Sequence, residues 1–169
     1  MSLTFAPVKT AGEIEQLAGL AEEIWREHFT PILPAGQVDY MLEKFQSVPT
    51  MTRQLQEERY RYFFIQKDGC PIGYTGVKPE NGKLFLSKLY LRKSERGKGY
   101  AGETFRFLED LCRREGLSAI WLTVNRHNDG PIAVYRNKGF KVVREQVADI
   151  GGGYVMDDYI MEKTIVRDL

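Results

Sequence analysis

A short apolar run, Leu84 to Leu91 (LFLSKLYL), is followed by a charged, glycine-rich stretch, Arg92 to Gly102 (RKSERGKGYAG). This stretch leads into residues whose apolar face recurs at helical spacing: Ala101, Phe105, Leu108, Leu111 and Cys112. The succession of strand, loop and helix constrains the chain more than any other segment. Glycines at a helix start let the backbone approach a ligand closely. The N–H groups of the first turn have no partner within the helix and point outward at the positive end of its dipole. Arg96 and Lys98 add charge at the same place, which suits a pyrophosphate. A flexible loop ending in a glycine cap uses the same residues, but the position between strand and helix favours a phosphate cradle. Gly97, Gly99 and Gly102 also satisfy G-x-G-x-x-G. A dinucleotide fold needs that motif directly after the strand and an acidic residue about 20 positions later. Here Arg92 to Arg96 intervene and the next strand ends in Asn125-Arg126-His127, so the context fails. A P-loop fails too, because no Gly-Lys is followed by Ser or Thr.

Around this segment the periodicity alternates between strand and helix. Leu3 to Val8 reads as a strand, and Ile14, Leu17, Ala21, Ile24, Trp25 and His28 fall on one helical face ended by Pro31 and Pro34. Val38 to Phe45 reads as a short helix and Thr50 to Glu57 as a turn-rich piece. Tyr60 to Gln66 and Pro71 to Val77 are strands flanking the hairpin signal Asp68-Gly69, and Asn81-Gly82 leads to Leu84. Gly116 closes the central helix, Ser118 to Val124 is a strand, and Asn128 to Lys138 is a helix capped by Gly139. Phe140 to Ile150 and Tyr154 to Ile165 form a last strand pair around Gly151-Gly152-Gly153. The class is therefore α+β: a mixed, mostly antiparallel central sheet of six to seven strands flanked by about four helices. With no repeat, low-complexity tract or polar linker, residues 1–169 read as a single domain.

The 169 residues carry 24 Lys plus Arg against 23 Asp plus Glu, but the two signs are segregated. Residues 11–59 hold nine acidic and four basic side chains, a balance of −5, while residues 83–114 hold nine basic and four acidic, a balance of +5. The positive segment coincides with the glycine loop, and the negative one favours a cationic acceptor, although solvated faces account for any single charge. No apolar run approaches the roughly 18 residues of a membrane span, and MSLTFAPVKT lacks the pattern of a secretory signal. The chain is thus read as cytoplasmic, without a membrane partner. Basic residues concentrated at one loop, without aromatic interleaving, argue against nucleic acid. Cys70 and Cys112 lack metal-ligand spacing and read as reduced thiols, and no metal site is expected.

Arg96-x-x-Gly99-x-Ala101 after a strand resembles the acetyl-CoA signature of the GNAT superfamily of N-acetyltransferases. Leu122-Thr-Val124, Asn128, Ile132-Ala-Val-Tyr135 and Gly139-Phe140 are similar to its second motif, and together the two cover residues 84–140. Trp25, Asp39 to Leu42 and the tail Met156 to Met161 loosely resemble a bacterial subgroup related to polyamine acetyltransferases. The resemblance implies an acetyl-CoA-dependent transferase acting on a primary amine of a polyamine-like or other cationic small molecule, or on a protein amine. It implies that Gly97, Lys98, Gly99, Tyr100, Ala101 and Gly102, with Arg96, hold the pyrophosphate. Leu89, Tyr90 and Leu91 would line the pantetheine arm, Asn128 would contact it, and Tyr135 would face the sulfur as catalytic acid.

Many members of that family place a carboxylate on the strand before the loop, whereas LFLSKLYL offers only Ser87 and Lys88. Glu22, Glu23, His28, Asp157 and Asp158 are the candidates for the missing base, directly or through water. His127 reads as a solvated loop residue. The absent strand carboxylate leaves a non-catalytic CoA-binding sensor or scaffold as the alternative. The last two strands are candidate contacts for a homodimer.

Overall fold

The computed structural model describes residues 3–166. The elements are β1 (Thr4–Pro7), α1 (Ala11–Phe29), α2 (Ala35–Phe45), α3 (Val48–Glu57), β2 (Arg61–Lys67), β3 (Cys70–Glu80), β4 (Lys83–Leu91), α4 (Tyr100–Glu115), β5 (Ala119–Asn125), α5 (Asp129–Asn137), β6 (Lys141–Gly151) and β7 (Tyr154–Thr164). The strands form one seven-stranded sheet in the order β1-β2-β3-β4-β5-β7-β6. β4 and β5 are parallel, whereas β1–β2, β2–β3, β5–β7 and β6–β7 are antiparallel, so the sheet is mixed and mostly antiparallel as the sequence implies.

Local chemistry sets most boundaries. Thr10 opens α1 with a capping box: its hydroxyl accepts from Glu13 N at 3.1 Å and the Glu13 carboxylate accepts from Thr10 N at 2.8 Å. These amide donors hold the Glu13 carboxyl below its ordinary pKa. Asp68-Gly69 and Asn81-Gly82 both take positive φ at two successive residues (52° and 75°, 53° and 76°), the backbone of a type I′ turn. Residues 48–57, read from sequence as turn-rich, are helical. Ser47 caps them by accepting from Thr50 N, and Pro49 sits in the first turn, where its missing N–H costs nothing.

The residues gather into two compact units, one from the N-terminus to Lys78 with Lys88–Thr104, the other Pro79–Ser87 with the chain from Phe105 onward. In the first, a buried polar relay joins helices to strands. Tyr74 Oη donates to Gln46 Oε1 at 2.7 Å, Gln46 Nε2 donates to Phe45 O at 2.6 Å and to Tyr62 Oη at 3.4 Å, and Tyr62 Oη donates to Gln54 Oε1 at 2.7 Å. Tyr62 and Tyr74 are fully buried. Satisfying their hydroxyls internally avoids the penalty of roughly 1–3 kcal/mol per orphaned polar group. β3 and β4 approach closely at Gly73, where a Cβ would stand 2.2 Å from the Tyr90 carbonyl oxygen. Only glycine fits there.

In the second unit, Phe105, Leu108, Leu111 and Cys112 of α4 are buried, as are Ile120, Leu122 and Val124 of β5. Gly116 at φ 71° ends α4, with Leu117 N donating to Cys112 O at 2.9 Å. Burial pushes the Cys112 thiol up to about 11, which keeps it inert, while Cys70 is exposed; both are free.

Two outcomes test these packing effects. Gly73→Ala should cost about 1–3 kcal/mol of unfolding free energy, because backbone must move to admit the methyl. An unchanged urea midpoint would show that β4 yields without cost. Burial also raises the Tyr62 and Tyr74 hydroxyls above the ordinary tyrosine value. Below pH about 10 both states keep these protons; above it the unfolded chain releases them first, so it binds fewer protons than the native state and stability falls. The thermal midpoint should therefore decline from about pH 10 upward, and less steeply in Tyr62→Phe; equal slopes would remove Tyr62 from the effect.

Candidate functional site

The site builds on β4 and the segment that follows it. Buried positions on β4 are even-numbered at Leu84 and Leu86 but odd at Leu91, so the alternation changes phase within Ser87–Tyr90. The parallel ladder with β5 pairs Leu84, Phe85 and Leu86 with Ile120, Trp121 and Leu122, and stops there. Beyond it, Leu91 joins a buried apolar cluster with Leu3, Ile65 and Ile72, against which Leu89, Tyr100 and Ala101 also pack. Tyr90 faces Trp25, His28, Phe29 and Tyr74, with ring centroids 5.6, 5.8, 6.0 and 5.9 Å away.

The glycine segment is braced from several sides. A short 3-10 turn occupies Lys93–Glu95. Arg92 pairs with Glu23 at 2.5 Å, and Lys93 N donates to Glu27 Oε1 at 2.6 Å, which binds the start of the segment to α1. The Glu95 carboxylate, little exposed, receives Lys67 at 3.1 Å and Lys98 at 3.5 Å. Lys67 also lies over the Tyr100 ring at 5.5 Å. The hydrogen bond from Lys67 holds the Glu95 carboxyl below its ordinary pKa, and Glu95 in turn raises Lys67. Arg96 is exposed and its Nε donates to Leu91 O at 3.3 Å.

Gly97 and Gly99 take φ of 75° and 83°, and nothing lies within 4 Å of where a Cβ would stand on either. The requirement for glycine is thus conformational, and the space above the segment is open. The first backbone bond of α4 runs from Glu103 N to Gly99 O at 3.2 Å, which leaves the amides of Tyr100, Ala101 and Gly102 ahead of the ladder. The helix begins at Tyr100, one residue before Ala101, the first residue that the sequence places on its apolar face. This start gives the segment a true helix N-terminus, the feature an anion prefers. Lys67, on a distant strand, is a contributor that sequence spacing did not reveal, because only strand pairing brings residue 67 beside residue 95.

In the second unit, Asn128 precedes α5, buried, its amide donating to Asn125 O at 2.9 Å. Tyr135 is half-buried, its ring 5.8 Å from Phe105 and 5.9 Å from Phe140. Burial pushes its hydroxyl up to about 12, so it carries its proton throughout the physiological range.

The candidate bases fare unequally. Glu22 and Asp39 both pair with Arg26, at 3.3 and 2.6 Å; Glu23 pairs with Arg92; Asp157 pairs with Arg126 at 2.8 Å, and Arg126 also reaches Glu145 at 2.9 Å. His28 is half-buried among aromatic rings and His127 is exposed. Asp158 is buried on β7 opposite Asn125. A groove of about 330 Å³ between α1 and α2 is lined by Gly19, Glu22 and Arg26 on one side and Asp39, Glu43 and Gln46 on the other. Six of the nine acidic side chains of residues 11–59 have partners, Glu13 in a cap, Glu22 and Asp39 on Arg26, Glu23 on Arg92, Glu27 on an amide and Glu58 on Arg53, but Arg26 and Arg53 already count in the balance of −5, which only the Glu23–Arg92 pair reduces. Among the described residues, no helix is long and apolar enough to cross a membrane, and no group of three metal-ligating side chains converges.

Comparison with known proteins agrees with this architecture. An uncharacterized N-acetyltransferase in the pepI 3′ region of Lactobacillus delbrueckii subsp. lactis is 26% identical over 113 residues, covering 62% of this chain and 65% of that protein. The chain thus spans just under two thirds of that relative. An uncharacterized N-acetyltransferase of Mycobacterium tuberculosis H37Rv is 23% identical over 155 residues, 91% of this chain and 99% of its own. The PaiA N-acetyltransferase of Thermoplasma acidophilum, solved in complex with coenzyme A, has the same fold with a TM-score of 0.78 at 23% identity, covering 97% of this chain and 99% of that one. The ribosomal-protein-S18-alanine N-acetyltransferase of Escherichia coli gives a TM-score of 0.72 at 17% identity over 99% of this chain and 97% of that one. The model of the acetyltransferase (GNAT) family matches residues 18–140, and the chain belongs to that family.

Proposed function

We propose that this protein transfers an acetyl group from acetyl-CoA to a primary amine, either of a small molecule or of a protein, in the cytoplasm. The observation that carries this reading is the open, positive-φ backbone at Gly97 and Gly99 running into the unladdered amides of Tyr100 to Gly102. A pyrophosphate fits such a cradle because it needs several converging N–H donors without side chains in the way. Arg96 and Lys98 supply long-range attraction. β4 past Leu86, where its ladder with β5 has ended, supports the placing of an amide-rich pantetheine arm along Leu89, Tyr90 and Leu91, with Asn128 adding a side-chain contact. When bound, acetyl-CoA supplies an activated thioester.

The residues of the chain then have three tasks. The Leu89 amide donates to the thioester carbonyl oxygen, where negative charge grows as the amine nitrogen bonds to the carbonyl carbon. The amine sheds one proton to water or to a carboxylate before it attacks, and a second as the amide forms, which passes to the departing thiolate. An alkylamine arrives protonated at neutral pH, with a pKa of about 10.4. As the carbon–sulfur bond breaks, Tyr135 donates a hydrogen bond to the sulfur. A hydroxyl near 12 does not readily surrender its proton to a thiolate whose acid has a pKa of about 8.5. Its role in this reading is therefore that of a neutral donor that steadies the thiolate until the released proton reaches it.

Thiol release from acetyl-CoA by the purified protein, measured against polyamines, aminoglycosides, amino acids and peptides, tests the proposal. Transfer to at least one amine class is expected. Acetyl-CoA binding without thiol release across the panel would instead favour a CoA-binding sensor or scaffold, the reading that the absent β4 carboxylate and the ion-paired Glu22, Glu23 and Asp157 support. Tyr135→Phe should lower kcat by about 10² with the acetyl-CoA affinity nearly unchanged. Wild-type turnover in that variant would take Tyr135 out of the mechanism.

A further inference from the structure

Glu95 is the one carboxylate in the segment from Arg92 to Gly102, among Arg92, Lys93, Arg96 and Lys98, and it stands two residues before Gly97. The next carboxylate, Glu103, lies inside α4 and accepts from Leu3 N at 3.4 Å. An unpaired carboxylate at residue 95 would work against a pyrophosphate: it would repel the phosphates and draw the Lys98 ammonium away from them. Glu95 is also the least exposed member of its ion pairs, with 15% of its side chain accessible against 28% for Lys67 and 48% for Lys98. Water and salt screen such a charge poorly, so its neutralisation falls to the chain itself.

The neutralising ammonium comes from another strand. Lys67 is the last residue of β2, paired with Cys70 across the type I′ turn at Asp68-Gly69. The same hairpin end grips the segment elsewhere, because Arg92 N donates to Ile72 O at 2.8 Å and Arg92 Nε to Pro71 O at 3.4 Å. Lys67 Nζ donates to Glu95 Oε2 at 3.1 Å and lies 5.5 Å from the ring centroid of Tyr100, the residue that opens α4. Their hydrogen bond holds Glu95 below and Lys67 above its ordinary pKa, so both are charged at neutral pH. Lys98 reaches the same Glu95 oxygen at 3.5 Å and is half exposed, which makes it the looser of the two partners. With Lys67 in place, Lys98 is left able to turn to an anion.

Resting on the acetyl-CoA site of the reading above, we propose that Lys67 is a positioning residue for the cofactor: by pairing with Glu95 it removes an opposing charge from the cradle and leaves Lys98 for the pyrophosphate. Lys67 acts through Glu95, not by touching the phosphates.

The dissociation constant of CoA, measured by calorimetric titration with no acceptor present, tests this. Lys67→Met should weaken binding by about tenfold, and Lys67→Arg should keep it within about threefold of wild type. Glu95→Gln, whose amide oxygen still accepts a hydrogen bond from Lys67, should bind CoA at least as tightly as wild type. Lys67→Met combined with Glu95→Gln should regain affinity to within about threefold of wild type, because the charge that Lys67 neutralised is gone. A pair that served only to hold the fold would weaken CoA binding when either partner is replaced, and the double variant would stay weak. That pattern, or wild-type affinity in Lys67→Met, would overturn the inference. CoA binding by the wild-type protein without thiol release from acetyl-CoA across the amine panel would remove the transferase reading and leave this inference standing, whereas a wild-type protein that binds no CoA would remove both.

Discussion

The closest packing constraint in the first unit lies where β3 passes β4 at Gly73. A Cβ at that position would occupy the space of the Tyr90 carbonyl. This approach holds the end of β4 against β3 while its ladder with β5 has already ended at Leu86. A strand secured on one edge and released on the other presents backbone groups to a ligand without losing its shape. The braced glycine segment follows directly from this stretch, and in the proposed reading the cofactor arm lies along it, so its geometry decides the position of both.

Charge has a structural role here before any chemical one. Glu95 gathers Lys67 and Lys98, while Glu23 and Glu27 take Arg92 and the Lys93 amide. Arg92–Glu23 and the Lys98 end are exposed, and such pairs contribute little to stability individually, whereas Lys67 meets a little-exposed Glu95. What they do is limit the conformations of a segment rich in glycine, whose freedom would otherwise have to be given up on binding an anion. The opposed balances of residues 11–59 and 83–114 belong to some extent to the same bracing, since Glu23 and Glu27 lie in one segment and Arg92 and Lys93 in the other.

Much of the fold is legible from residues whose preference is local. Asp68-Gly69 and Asn81-Gly82 specify type I′ turns, Gly116 and Gly139 take the positive φ of helix ends, and Thr10 with Glu13 forms a capping box. The helix at 48–57 escapes a periodicity argument because only Thr50 and Met51 in it are buried; its signal lies in the Ser47 cap and Pro49. The start of α4 at Tyr100 lies one residue from Ala101, where the helical period first shows in the sequence. The positive-φ glycines ahead of α4 are readable because their conformation follows from residue type and spacing. The base is not: Glu22 has Arg26 one helical turn away in the sequence itself, whereas only three-dimensional packing reveals Arg92 beside Glu23 and Arg126 beside Asp157.

By itself the sequence determined the α+β alternation, the turns, the glycine-rich approach to a helix and membership in a family of acetyltransferases, because these depend on short-range preference and on motifs contiguous in the chain. The tertiary structure alone decided that Gly73 must be glycine, that Lys67 supports Glu95 from another strand, and that Trp25 and Phe45 hold an ammonium of the chain's own. Each of these joins residues from 17 to 63 positions apart (Gly73 to Tyr90, 17; Lys67 to Glu95, 28; Trp25 to Lys88, 63), and no local propensity encodes a contact that only strand order and helix packing bring together.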